Sequence, residues 1–177
     1  MSFKTSLSIL VALAAMPMQS NAGQCSTGSS PVTVSGRVTT QNISTTKQVG
    51  QICVTLVTAD GREVFDDCGA LVGRTISMDP ATGTSTLNHT ALFERADSFH
   101  TVNDMAQITG VLAVDAGGVP CEMAVQEHIT NLQWGTGIFN KATLDVWANG
   151  SISFCPDKNL NSFQLNGQAC IRNNQLR

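Results

Sequence analysis

From Val32 to Val38 the chain reads VTVSGRV, with Val32, Val34, Gly36 and Val38 alternating against Thr33, Ser35 and Arg37. A period of two places successive side chains on opposite faces, so this is a strand with one buried face and one wet face. The same period returns in TLNHTALFE, where Leu87, His89, Ala91 and Phe93 share one face and Asn88, Thr90 and Glu94 the other. Thr, Val, Ile and Ser dominate the chain after residue 22, Gly, Asn and Asp interrupt it at short intervals, and helical periodicity is nearly absent. Eight to ten strand segments are expected, with long ones near 85 to 94, 98 to 109 and 122 to 132. The predicted fold is all-β: an antiparallel closed barrel of about eight strands, stabilised by disulfides, with a β-sandwich as the alternative. The barrel is preferred because closure removes exposed strand edges.

Residues 1 to 22 stand apart from this pattern. Lys4 precedes an apolar run from Leu7 to Met16, and Ser20 and Ala22 supply small residues before a cleavage point. That is the layout of a signal peptide, with residues 23 to 177 left as one domain. The apolar run is shorter than the roughly 20 residues of a membrane-spanning helix, and no later segment replaces it, so no membrane insertion is expected. Gln24 stands before Cys25 where lipoprotein processing needs a small residue, which argues against a lipid anchor. The expected location is secreted or periplasmic.

Six cysteines, Cys25, Cys53, Cys68, Cys121, Cys155 and Cys170, all come after the leader. In an exported chain an even count points to disulfides. Zinc ligands come in close pairs such as Cys-x-x-Cys, and no such pair is present, so no metal or cofactor is assigned. Register settles one pairing. In CVTLVTADGREVFDDC a two-residue turn at Asp60-Gly61 sets Val57 opposite Val64 and Leu56 opposite Phe65, and continuing the register sets Cys53 opposite Cys68. The partners of Cys25, Cys121, Cys155 and Cys170 stay open among several pairings.

The segment GTGIFNKATLDVWANGSISFC contains a Gly-x-Gly but neither a dinucleotide fingerprint nor a phosphate loop. The residues after Gly137 alternate as strands do, so no helix N-terminus is on hand to hold a phosphate. Gly135 and Gly137 read as a tight bend requiring positive φ or close backbone approach. Beyond them, a three-residue Ala148-Asn149-Gly150 loop with Gly150 left-handed would pair Leu144 with Phe154 and Val146 with Ile152, sending Asp145, Trp147, Ser151 and Ser153 to a polar face.

Gly135, Gly137, Phe139 and Ala142 in GTGIFNKA resemble the Gly-Thr-Gly-x-Phe-x-x-Ala hairpin of the allene oxide cyclase and dirigent barrels and of exported bacterial proteins with similar barrels. The resemblance, which extends over His89 to Ile171 at most, implies a small antiparallel barrel of eight strands. The matching positions are structural, so it implies neither cyclase activity nor any catalytic residue.

One polar constellation stands out. If Ala96-Asp97 is the turn in LNHTALFERADSFHTVNDMAQI, His89 faces Asp104 and Phe93 faces His100 on the apolar side of a hairpin. Such a group serves either as a satisfied core pair or as a metal or acid-base site. Glu127 is the odd member of an apolar set, pointing into a wet cavity or flanking a bulge, and His128 is expected to be exposed. No nucleophile motif is present. The net charge is −3, one more negative once Lys4 leaves with the leader, and no basic cluster exists, so no nucleic-acid partner is expected.

Three function classes are compatible with these features: a binding or accessory module for a small apolar ligand, a structural or surface-interaction domain with a filled barrel, and an enzyme built on His89, Asp104 and His100. The first is preferred.

Overall fold

The computed structural model describes residues 25 to 176; the leader expected over residues 1 to 22 lies outside the described residues. Nine strands form one sheet: β1 (Ser29–Ser44), β2 (Lys47–Thr58), β3 (Glu63–Asp79), β4 (Thr84–Phe93), β5 (Ser98–Val114), β6 (Pro120–Ile129), β7 (Leu132–Thr136), β8 (Thr143–Ser153) and β9 (Asn161–Arg172). Every pairing is antiparallel. β4 pairs with β5 and β1 with β9, which closes eight strands into a barrel in the order β1-β2-β3-β4-β5-β6-β8-β9; β7 pairs only with β5, outside the ring. This is the expected closed barrel.

The alternation does what it foretold. Val32, Val34 and Val38 on β1, and Leu87, His89, Ala91 and Phe93 on β4, all point into the buried interior. Inward-facing Gly36, Gly50, Gly69, Gly150 and Gly167 each lie where an added Cβ would fall 1.9 to 2.3 Å from a carbonyl of the neighbouring strand. The sheet coils tightly at these points, and no side chain larger than hydrogen fits there.

Because the strands run up and down, the connections sort to two ends. One end is closed. Phe65, Phe93, Phe99 and Phe139 gather there with ring centroids 5.1 to 5.9 Å apart. Phe139 arrives on a 3-10 turn, Gly137–Phe139, that folds across the end of the barrel. Both glycines ahead of it are required, as the sequence suggested. An added Cβ on Gly135 would meet the Phe139 carbonyl oxygen at 2.4 Å, and Gly137 has φ of 53°. The Asp97 carboxylate accepts a hydrogen bond from the Ile138 amide at 2.7 Å, pinning the turn in place. The other end carries the β1–β2, β3–β4, β5–β6 and β8–β9 connections, and remains open between them.

Two loops differ from the sequence reading, in opposite senses. β8 runs straight through Asn149-Gly150: Gly150 pairs with Val125 on β6 and Phe163 on β9, so there is no turn, and Leu144 and Val146 face Ala169 and Gly167 on β9. Ser153, assigned to the polar face, is fully buried, with its amide donating to Asn161 Oδ1 at 2.9 Å and its hydroxyl to the Lys158 carbonyl at 2.6 Å. A left-handed glycine does sit in the β2–β3 connection, where Gly61 has φ of 85° and the Thr58 amide bonds the Arg62 carbonyl at 2.9 Å. A bulge there pairs Val57 with Glu63 rather than Val64, after which Leu56–Phe65 and Cys53–Cys68 fall opposite each other as expected. An Asn-Gly pair is compatible with a turn, but a long strand with partners on both sides satisfies more backbone groups than a hairpin tip would.

Cys53 and Cys68 are bonded, with Cα atoms 4.0 Å apart. The remaining disulfides are Cys25–Cys170, which ties the entry of β1 to β9, and Cys121–Cys155, which staples β6 to the chain leaving β8. No cysteine is free, as the even count implied. Such a framework belongs to an oxidising compartment. Among the described residues no helix is long and apolar enough to cross a membrane.

Candidate functional site

The inner wall is apolar except at two places, one built on buried Thr40 and Asn161 and the other, the only one with ionisable groups among the described residues, on His89, Asp104 and Glu127. His89 on β4 pairs with Thr101 on β5, whose hydroxyl accepts from the His89 amide at 3.3 Å. A bulge follows on β5, with Asn103 left-handed at φ of 58°, and it turns Asp104 inward. Bulges commonly re-aim a side chain in this way. His89 Nδ1 then lies 2.9 Å from Asp104 Oδ2, and the Thr101 hydroxyl donates to the same oxygen.

Glu127 enters from β6, where its strand neighbours are Ala106 on β5 and Ala148 on β8. These two methyl side chains leave room for a carboxylate to lie along the wall. Its Oε1 is 3.3 Å from His89 Nδ1. His89, Thr101, Asp104 and Glu127 are all buried. Two of their oxygens, Asp104 Oδ1 and Glu127 Oε1, receive no hydrogen bond. The reason is a shortage of donors: a single Nδ1 proton directed at Asp104 cannot also be directed at Glu127, so that second contact is Coulombic only.

The electrostatics result from burial. The Glu127 carboxyl is held above its ordinary value, first because burial disfavours its charge and further because Asp104 repels it, with His89 opposing. Burial alone would push His89 down. The charges of Glu127 and Asp104 outweigh that, and the imidazole ends above its ordinary value. The cluster therefore retains protons that exposed groups would release.

Of the residues singled out from sequence, His89 and Asp104 meet, but through the bulge rather than by direct opposition. His100 does not join them. The connection after β4 is longer than two residues, Ala96 carries its left-handed turn, and the register places His100 opposite Thr90 instead of Phe93. His100 thus faces outward, bonded to the Thr90 hydroxyl at 2.8 Å and stacked on Trp134. An enzyme built on all three residues is accordingly not what the fold assembles. His128 also lies on the outer face, as expected, stacked on Trp147 at 4.0 Å and paired with Asp145 at 2.8 Å. Glu127 is the member that sequence flagged only as an anomaly, and its signal was a carboxylate in an apolar register.

The cluster borders a cavity of about 60 Å³, lined by His89, Thr101, Glu127 and Gln48 and otherwise by aliphatic and phenylalanine side chains. A second cavity of about 80 Å³ lies toward the open end, between the β1–β2 connection, Met78, Gly83 and Phe154. Gln48, Glu127 and Phe163 line both and so form the partition between them. Gln48 belongs to a buried polar network that sequence reasoning missed. The Asn161 side-chain amide donates to Thr40 at 3.1 Å, Asn42 at 2.9 Å and Gln48 at 3.1 Å, with Asn161 and Thr40 fully buried.

No family model matches this chain, and comparisons with curated proteins and with solved structures return no match.

Proposed function

We propose that this is an exported β-barrel that binds a small apolar molecule in its interior, admitted at the open end. The observation that carries the reading is the shape of the inside: an apolar cavity, sealed at one end by four phenylalanines, meets a second cavity at the open end across a polar partition. Drug-sized ligand pockets run to several hundred Å³. At about 60 and 80 Å³ each space is smaller than the roughly 150 Å³ that takes benzene, and the two together approach it, so the fitting ligand is a compact molecule of about six non-hydrogen atoms reaching across the partition. The leader and the disulfide framework support export. The likeness of Gly135 to Ala142 to the allene oxide cyclase and dirigent barrels enters this proposal as support for the architecture alone.

The test is native mass spectrometry of protein purified without denaturation, followed by titration with benzene-sized probes. Wild type is expected to bind one probe per chain, and Ala148→Leu, which fills the cavity, to bind none while remaining folded. Absence of any retained or titrated molecule in wild type would sink the reading.

A second reading, a surface-interaction domain, is favoured by exposed apolar side chains on the β5–β6 hairpin, where Val111, Leu112, Val114 and Val119 are each more than half exposed. If that surface drives association, Leu112→Asp will raise the concentration needed for oligomer formation in sedimentation velocity.

A further inference from the structure

We propose that His89, Asp104 and Glu127 form a divalent-cation site on the barrel wall, taking a first-row transition ion such as Zn2+, with one coordination position open to the cavity. The inference stands apart from the apolar-ligand reading and does not depend on it.

Three adjacent strands deliver the donors to one face: His89 from β4, Asp104 from β5 and Glu127 from β6. Donor atoms of all three lie within 4.8 Å of one another. Atoms sharing one cation at bond lengths of about 2.1 Å are separated by about 3.0 to 3.4 Å. The contacts from His89 Nδ1, at 2.9 and 3.3 Å, match that separation closely. A hydrogen bond explains the first. The second has no hydrogen bond behind it, since the one proton is already committed, and charge alone holds a second carboxylate against the same nitrogen.

The unpartnered oxygens make the same point independently. Asp104 Oδ1 and Glu127 Oε1 are buried and have no donor. Buried carboxylate oxygens are ordinarily bonded, paired or metal-bound. Charge is equally telling. Two carboxylates, a neutral imidazole and a divalent cation sum to zero. Nitrogen and carboxylate donors without thiolate suit Zn2+ or Mn2+. The Thr101 hydroxyl, donating to Asp104 Oδ2, orients that carboxylate. Three protein ligands leave a fourth position for water or a ligand atom, on the side where the cavity lies.

The test is titration of chelator-stripped, folded protein with Zn2+ by calorimetry, in a His128→Ala background that removes the outer His128–Asp145 pair. One Zn2+ per chain is expected, with affinity reduced at least tenfold in both Glu127→Gln and His89→Gln, and a Zn2+-dependent rise in melting temperature that both variants lose. No stoichiometric binding, or undiminished binding in Glu127→Gln, overturns the proposal. Should the variants fail to fold, Co2+ loaded into the His128→Ala protein decides. A paramagnetically shifted imidazole resonance supports the site, and its absence counts against it. Binding of the benzene-sized probe, measured with and without Zn2+, reports separately on the ligand reading.

Discussion

The closed end of the barrel and the polar patch halfway along it are built on opposite terms. At the closed end four aromatic rings contact one another edge-on and stacked, and the loop that delivers Phe139 has its amide satisfied by Asp97. Among the described residues, the one buried polar atom left without a partner there is the neutral Oε1 of Gln175, whose side-chain nitrogen donates to the Gly137 carbonyl at 2.8 Å, and it carries no charge. At the patch, buried carboxylates outnumber the proton donors available to them, and two oxygens go unserved. The first arrangement is what stability alone selects. The second costs stability, and such deficits concentrate where a protein has something to bind.

That contrast can be broken by substitution. The largest effect is expected at the plug: Phe139→Ala removes a ring in contact with three others and should lower stability by about 3 to 5 kcal/mol, read from urea denaturation. A loss below about 1 kcal/mol would mean that the end is not sealed by packing. Next is Gly150→Val, whose Cβ would fall 1.9 Å from the Ser162 carbonyl oxygen; the strand must shift, and a loss of about 1 to 3 kcal/mol is expected from the melting transition. An unchanged transition would mean that the neighbouring strand does not press on Gly150, and it would not revive the hairpin tip either, since a left-handed Gly150 would also resist valine.

Within the patch, Asp104→Asn removes the charge of the acceptor shared by His89 and Thr101, turns one of its two oxygens into a donor, and should cost about 1 to 3 kcal/mol in the metal-free protein. Glu127→Gln removes an ionisable group that accepts no hydrogen bond at Oε1, so its cost should be smaller than that of Asp104→Asn and near zero. If the two rank the other way, the division between the served and the unserved carboxylate fails.

The smallest effect is a slope. Both His89 and Glu127 have pKa values raised in the folded state, above 6.5 and 4.5 respectively, so the folded protein binds protons more tightly than the unfolded chain. Stability from each is fully present below those unfolded values and is lost as pH rises through the folded ones. Metal-free protein should therefore weaken as pH climbs from about 4.5 upward, and further above about 6.5. Urea midpoints across that range check it, and Glu127→Gln should flatten the slope, because Glu127 is itself one titrating group and part of what raises the other.

Much of the barrel was legible because its signals are local. A two-residue period shows which side chains share a face, and Leu56–Phe65 and Cys53–Cys68 fall opposite each other within one short hairpin. The turns were read less well. Asn149-Gly150 and Asp60-Gly61 look alike as dipeptides, yet one lies inside a strand and the other at a left-handed loop. The choice rests on how many neighbours the strand has, which a dipeptide does not carry. The candidate site was half legible: His89 and Asp104 share a hairpin, so proximity was expected, but His100 was assigned to the wrong face because the length of the turn sets the register.

By itself, then, the sequence determined which faces of the strands are buried, one disulfide and the tight bend before Phe139, since each depends on neighbours a few residues apart. Tertiary structure decided the closure of β1 on β9 and of β4 on β5, the exclusion of β7 from the ring, the Cys25–Cys170 and Cys121–Cys155 bonds, and the meeting of Glu127 with His89 and Asp104. These depend on pairings between distant strands, and on bulges such as the one at Asn103 that shift a register locally. A one-residue shift of register turns a side chain from the interior to the solvent, and that is settled only when all eight strands close on one another.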